Sequence, residues 1–96
     1  MELDDEVCLC FHVTKRKLLN FLRVEQPRRA AQLSECFGAG TGCGWCRGYL
    51  RRLFEAQAQA KGALPADPSF AEHTQGRAGY LREGRGTPPP GATPSS

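Results

Sequence analysis

The sequence predicts a small, mostly α-helical domain: three short helices behind a short extended N-terminal segment, followed by a disordered Gly/Pro-rich tail. Three observations carry this prediction. Apolar residues recur at helical spacing in three blocks between Lys15 and Ala60. Two cysteine pairs, Cys8-Leu9-Cys10 and Cys43-Gly44-Trp45-Cys46, enclose the first two blocks and open the third. From Lys61 onward the chain holds six glycines and six prolines and few large apolar residues, which is the composition of a chain that does not fold on itself. The folded domain is therefore assigned to residues 1–61 and the tail to 62–96.

Residues 7–13, Val-Cys-Leu-Cys-Phe-His-Val, read as one short extended segment. In such a segment side chains two apart share a face, so Cys8 and Cys10 point the same way. Thr14 is a good N-cap for a first helix from Lys15 to about Glu25, with Leu18, Leu19, Phe21 and Leu22 as its apolar stripe. Pro27 ends that helix and can start the next. A second helix is expected from about Arg28 to Phe37, with Ala30, Leu33, Cys36 and Phe37 on one side and Gly38 as its stop. The loop Gly38-Ala39-Gly40-Thr41-Gly42 has a glycine at every second position, which allows close backbone approach to something bulky and can aim N–H groups at an anion. A third helix is expected from about Gly44 to Ala60, its stripe made of Cys46, Tyr49, Leu50, Leu53, Phe54 and Gln57.

Composition excludes several functions. With 96 residues and a net charge of +3, neither nucleic-acid nor membrane-surface binding is called for. The start, with Glu2, Asp4, Asp5 and Glu6, is too acidic for a signal peptide, and no apolar run approaches a membrane span. A cytoplasmic location is expected, where thiols stay reduced and five cysteines point to metal or redox chemistry rather than disulfides. No nucleophile–base arrangement or phosphate-loop lysine is present, so the chain is not expected to be an enzyme.

The spacing C-x-C-x32-C-x2-C offers four thiolates, a donor set used by both zinc and iron–sulfur centres. Zinc sites of this kind commonly use two C-x2-C pairs on turns, and here only Cys43/Cys46 has that form. A [2Fe–2S] centre spreads its sulfurs over two metals and suits two pairs approaching from opposite sides. Carrying −2 when oxidised and −3 when reduced with four thiolates, it would also give Lys15, Arg16 and Lys17 a reason to stand in a first helical turn, where the dipole disfavours cations. A solvated face explains those cations equally well.

Val7-Cys8-Leu9-Cys10, then Val13-Thr14 opening a helix, then Gly40-Thr41-Gly42-Cys43-Gly44-Trp45-Cys46, resembles the [2Fe–2S] domain of bacterioferritin-associated ferredoxins over about residues 6–58. The resemblance implies a helix-turn-helix-like fold with a [2Fe–2S] cluster near the surface. It also implies that Cys8 and Cys10 ligate one iron, and Cys43 and Cys46 the other. It further implies electron transfer between a ferredoxin reductase and bacterioferritin, so that stored ferric iron leaves as ferrous ion. Similar domains occur in nitrogen-fixation scaffolds, nitrite reductases and copper chaperones, usually fused to others; a domain followed only by a tail is expected to act as the ferredoxin does. A cluster scaffold or delivery protein and a zinc-stabilised interaction module are the alternative readings.

Leu9 and Trp45, each between two ligands, read as an apolar surface pair suited to brief partner docking, with shielding of the centre from water or ordinary packing as the equal alternative for Trp45. Cys36 is expected to be a buried small hydrophobe. His12 is expected near the surface, and His73 in the tail, so the two-histidine ligation of a Rieske centre is not expected. Arg47, Arg51 and Arg52 read as a solvated helical face.

Overall fold

In a computed structural model of the chain, residues 1–58 and 67–92 are described. The order of elements is β1 (Glu6–Cys8), β2 (Val13–Thr14), α1 (Lys15–Glu25), a 3₁₀ helix (Ala30–Glu35), α2 (Arg47–Ala58) and α3 (Phe70–Arg82). The fold is mostly helical, as expected, and a two-stranded sheet is its only β component among the described residues. No helix among them is long and apolar enough to cross a membrane.

The expected single extended segment over 7–13 is instead a hairpin. β1 and β2 pair antiparallel, Glu6 opposite Thr14 and Cys8 opposite Val13, with a bulge between Glu6 and Cys8. His12 takes a left-handed φ of 57° that closes the turn; such a backbone is rare outside glycine and short polar residues. Cys8 thus ends a strand and Cys10 sits in the turn.

Helix α1 follows its sequence signals. The Thr14 hydroxyl accepts the Lys17 N–H at 3.2 Å, and Gln26, just before Pro27, turns left-handed and donates its N–H to the Leu22 carbonyl. Leu18 and Leu22 are fully buried. The second expected helix forms as the shorter, tighter 3₁₀ helix, with Gln32 Oε1 accepting the N–H groups of Arg28 and Arg29. Leu33 and Cys36 enter the core. Phe37 does not: its φ is 54° and it is 68% exposed, because the chain reverses at Cys36 before a further helical turn could bring Phe37 inward. The third expected helix is α2, starting three residues later than predicted; residues 59 and 60 lie outside the described residues. Tyr49, Leu50 and Leu53 form its buried stripe.

The largest departure lies in the stretch expected as a disordered tail. Phe70–Arg82 is a helix with Ser69 as N-cap. The Ser69 hydroxyl accepts the Glu72 N–H and Glu72 Oε1 accepts the Ser69 N–H, both at 3.1 Å, a reciprocal capping box. Asp67 anchors the approach: its carboxylate meets the N-terminal ammonium and Lys15 at 2.9 Å each and accepts the Tyr49 hydroxyl at 2.9 Å. Residues 62–66 and 93–96 of the expected tail lie outside the described residues. Helix α3 is hidden from hydropathy analysis because two of its three buried residues, His73 and Arg77, are polar; they stand four apart and so share one face.

Candidate metal centre

Four thiols meet in the core. Cys8, Cys10, Cys43 and Cys46 are 2–8% exposed and belong to one buried cluster with Val7, Val13, Leu18, Leu33, Tyr49, Leu50 and Leu53. The hairpin delivers Cys8 and Cys10; the glycine loop delivers Cys43; Cys46 immediately precedes α2. All five cysteines are free thiols. The fifth, Cys36, sits in the core as expected, its thiol directed at the Lys17 carbonyl at 3.7 Å, and burial pushes its pKa up.

Thiol contacts run between the two sequence pairs. The Cys8 thiol interacts with that of Cys46, and the Cys10 thiol with that of Cys43. The first contact polarises its two members in opposite directions. The Cys46 side chain, followed by backbone N–H groups of Gly40, Phe11 and Cys10, holds the Cys8 thiol down to about 5 from an ordinary 9.0, against the opposing effect of burial. Cys46, sharing its proton with Cys8 and buried among three other thiols, is pushed strongly up. Cys10 is raised by burial, opposed by hydrogen bonds from the Cys43 N–H and Arg77. The lowering of Cys8 favours its thiolate, the form in which cysteine binds metals. Among the described residues no three His, Cys, Asp or Glu donors converge as a single-ion site requires; the sulfurs meet as two couples.

The loop 38–44 is shaped around these sulfurs. The Cys43 N–H donates to Cys10 Sγ at 3.2 Å. A Cβ on Gly42 would lie 2.5 Å from Cys10 Cβ and 2.6 Å from its sulfur, so only glycine lets the backbone come this close. Gly40 has φ +82°, and a Cβ there would meet Leu50 at 3.0 Å. The Gly40 carbonyl accepts Arg47 Nε at 2.9 Å, tying the loop to the first turn of α2. The donor set fits an iron–sulfur centre on three counts of chemistry: four soft sulfurs, N–H groups directed at them, and little water.

Several expectations about the surroundings need correction. Leu9 is 4% exposed, so it is a core residue and not half of a docking pair. The Trp45 indole lies beneath α3: its Nε1–H donates to the His73 carbonyl at 3.1 Å, and its ring is 5.5 Å from that of Tyr80. The site expected near the surface is covered by α3 and by the segment after it, where Gly86 packs on the Cys43 carbonyl and Pro89 lies against Gly42. Lys15, Arg16 and Lys17 do not serve the sulfurs; Lys15 pairs with Asp67, Arg16 with Asp4 at 3.0 Å, and Lys17 lies over the Phe37 ring. His12 is exposed, its Nδ1 3.1 Å from Glu6 and its Nε2 donating to the Gly91 carbonyl at 2.9 Å. Arg47, Arg51 and Arg52 lie on the exposed side of α2, as expected.

The cation that does reach the sulfurs is Arg77 of α3. It is 2% exposed, and its Nη2 lies 3.7 Å from Cys10 Sγ. His73, one turn earlier and also buried, donates from Nε2 to the Val7 carbonyl at 2.8 Å, and burial lowers its pKa. The Tyr80 hydroxyl donates to the Cys43 carbonyl at 2.7 Å. Ser69-Phe70-Ala71-Glu72 carries the helix-start pattern that could have revealed this element from the sequence.

The comparisons with known proteins agree with this arrangement. The chain is 29% identical over 75 residues to the nitrite reductase [NAD(P)H] of Neurospora crassa, a match covering 75% of this chain and 6% of that protein. The chain thus corresponds to a small part of that relative. No solved structure matches. A family model, the BFD-like [2Fe-2S] binding domain, matches residues 6–56, which takes in all four clustered cysteines and the glycine loop between them. The chain therefore belongs to the BFD-like [2Fe-2S] binding domain family, and its cofactor is a [2Fe–2S] cluster.

Proposed function

We propose that this protein is a one-electron carrier in which Cys8, Cys10, Cys43 and Cys46 hold the cluster. The observation that carries this reading is the meeting of four buried thiols as two couples, with backbone N–H groups of residues 10, 11, 40 and 43 directed at their sulfurs. When bound, a [2Fe–2S] centre supplies reversible one-electron chemistry. The chain itself does three things. Its N–H groups favour the thiolate form, its core excludes water, and the hairpin and α2 hold the two cysteine pairs in fixed relation. Rigid ligands keep the reorganisation on electron transfer small. No bond-breaking step is assigned to the protein, and a cytoplasmic location agrees with its free thiols.

The electron donor is read as a ferredoxin-reductase-type protein. The acceptor is read as bacterioferritin, whose stored ferric iron would leave as ferrous ion. Membership of a redox family and similarity to part of a nitrite reductase both support electron carriage. Burial of the thiols supports retention of a cluster over its delivery to another protein. The test mixes reduced holo-protein with iron-loaded bacterioferritin under a ferrous chelator. Chelated ferrous iron appearing in step with reoxidation of the protein is the expected result. Transfer of intact cluster to an apo-acceptor faster than reoxidation would establish a delivery protein instead, and no iron release would remove bacterioferritin as the acceptor.

A further inference from the structure

We propose that Arg77, carried by a helix beyond the matched family domain, is a positioning residue that raises the reduction potential of the centre by placing a fixed positive charge against Cys10 and Cys43. The inference rests on the reading of the four thiols as cluster ligands.

Family similarity covers residues 6–56, and α3 begins at Phe70. The helix is nevertheless built into the site. His73 Nε2 donates to Val7, next to Cys8. The Trp45 indole, between Cys43 and Cys46, donates to the His73 carbonyl. Tyr80 donates to the carbonyl of Cys43 itself. Gly76 permits the closest contact: a Cβ there would stand 2.5 Å from the Trp45 ring. These contacts, made at residues 73, 76 and 80, flank Arg77 along the helix.

A guanidinium is charged at every accessible pH, and burying it is costly unless anionic groups stand close by. Arg77 is 2% exposed and donates to the sulfurs of Cys10 and Cys43. Thiolates bonded to iron provide a lasting anion at that place. A four-thiolate [2Fe–2S] centre held here would go from −2 to −3 on accepting one electron from a reductase, with no bond broken and no proton moved. A fixed cation favours −3 over −2, and N–H···S donation from Arg77 acts in the same direction.

Full-length protein reconstituted anaerobically with iron and sulfide provides the test, by redox titration against mediator dyes followed through the visible absorption. Arg77→Met should lower the equilibrium constant for reduction at least about tenfold, a potential about 59 mV lower, with iron and sulfide content unchanged. Arg77→Lys should recover most of the loss. Gly76→Leu, which keeps the Arg77 side chain but pushes the helix that carries it away from Trp45 and the sulfurs, should shift the potential in the same direction. An assembled Arg77→Met within twofold of wild type overturns the proposal, as does an Arg77→Lys that behaves like Met. Should Arg77→Met assemble no cluster, assembly by Arg77→Lys upholds the role of charge, and its failure there refutes it. A wild-type chain that takes up no iron and sulfide refutes the ligand reading itself, independently of Arg77.

Discussion

Gly42 is where the structure makes its most demanding steric prediction. The residue has no positive φ, so alanine is allowed by the backbone and any effect comes from packing. The added methyl would sit 2.5 Å from Cys10 Cβ, 2.6 Å from Cys10 Sγ and 3.2 Å from Pro89 Cδ. Carbon atoms rest at about 3.5–4.0 Å from one another, so the loop and the hairpin turn must separate by about 1 Å. Neither yields easily, since Cys10 lies in a tight turn and Gly42 precedes the Cys43 N–H that bonds the Cys10 sulfur. Overpacking of this kind costs about 1–3 kcal/mol, a large share of the stability of so small a domain. Gly48 is the control: a Cβ there meets nothing within 4 Å, and Gly48→Ala in α2 should gain up to about 1 kcal/mol from reduced unfolded-state freedom. Urea denaturation of the reduced apo-proteins, followed by helical circular dichroism, reads both. Gly42→Ala should also lose cluster retention, because the Cys10–Cys43 couple is forced apart. A Gly42→Ala protein as stable as wild type with full cluster content would refute the close approach of loop and hairpin.

Cys43→Ser should abolish the visible spectrum of the reconstituted protein, whereas Cys36→Ala should keep it and cost about 1 kcal/mol from a small core cavity; loss of the spectrum in Cys36→Ala would mean the ligand set is wrong. Ser69→Ala removes half of the capping box and should destabilise α3 by about 1 kcal/mol, read as faster amide exchange across residues 70–82 with little change in α1. Apo-protein stability under reductant should rise with pH between about 5 and 9. Cys8 is depressed in the fold, so its contribution is fully present above its ordinary 9.0 and lost as pH falls through about 5. The slope cannot exceed about 1.4 kcal/mol per pH unit for one proton. Above 9 the raised Cys46 reverses the sign, because unfolding then releases a proton that the fold retains. Thermal melts from pH 5 to 10 test this, and a curve that declines from pH 5 upward would contradict the assignment of Cys8 as the thiolate.

Much of the site was legible in the residues themselves. Paired cysteines, a glycine at every second place before Cys43, and a Thr14 cap ahead of an apolar stripe are local signals, and in the structure the four cysteines share one buried cluster, the glycine loop approaches Cys10 closely, and Thr14 caps α1. The errors arose where tertiary contacts decide. Composition marked 62–96 as tail, yet α3 needs few apolar residues because it buries His73 and Arg77 against carbonyls and sulfurs. That helix leaves the Trp45 indole half-buried and bonded to the His73 carbonyl, while Leu9 lies in the core. The same helix changes the electrostatics. Lys15, Arg16 and Lys17 found partners in Asp67, Asp4 and Phe37, and the cation beside the thiols came from 67 residues beyond Cys10. Hydropathy carries no signal for such an element, whereas its capping box does.

The central claim, that Cys8, Cys10, Cys43 and Cys46 hold a two-iron cluster, is tested most directly by purifying the full chain without oxygen and measuring its visible spectrum together with iron, acid-labile sulfide and zinc. A coloured protein with two irons and two sulfides per chain, bleached by Cys43→Ser, is the predicted result. A colourless protein carrying one zinc per chain would contradict it.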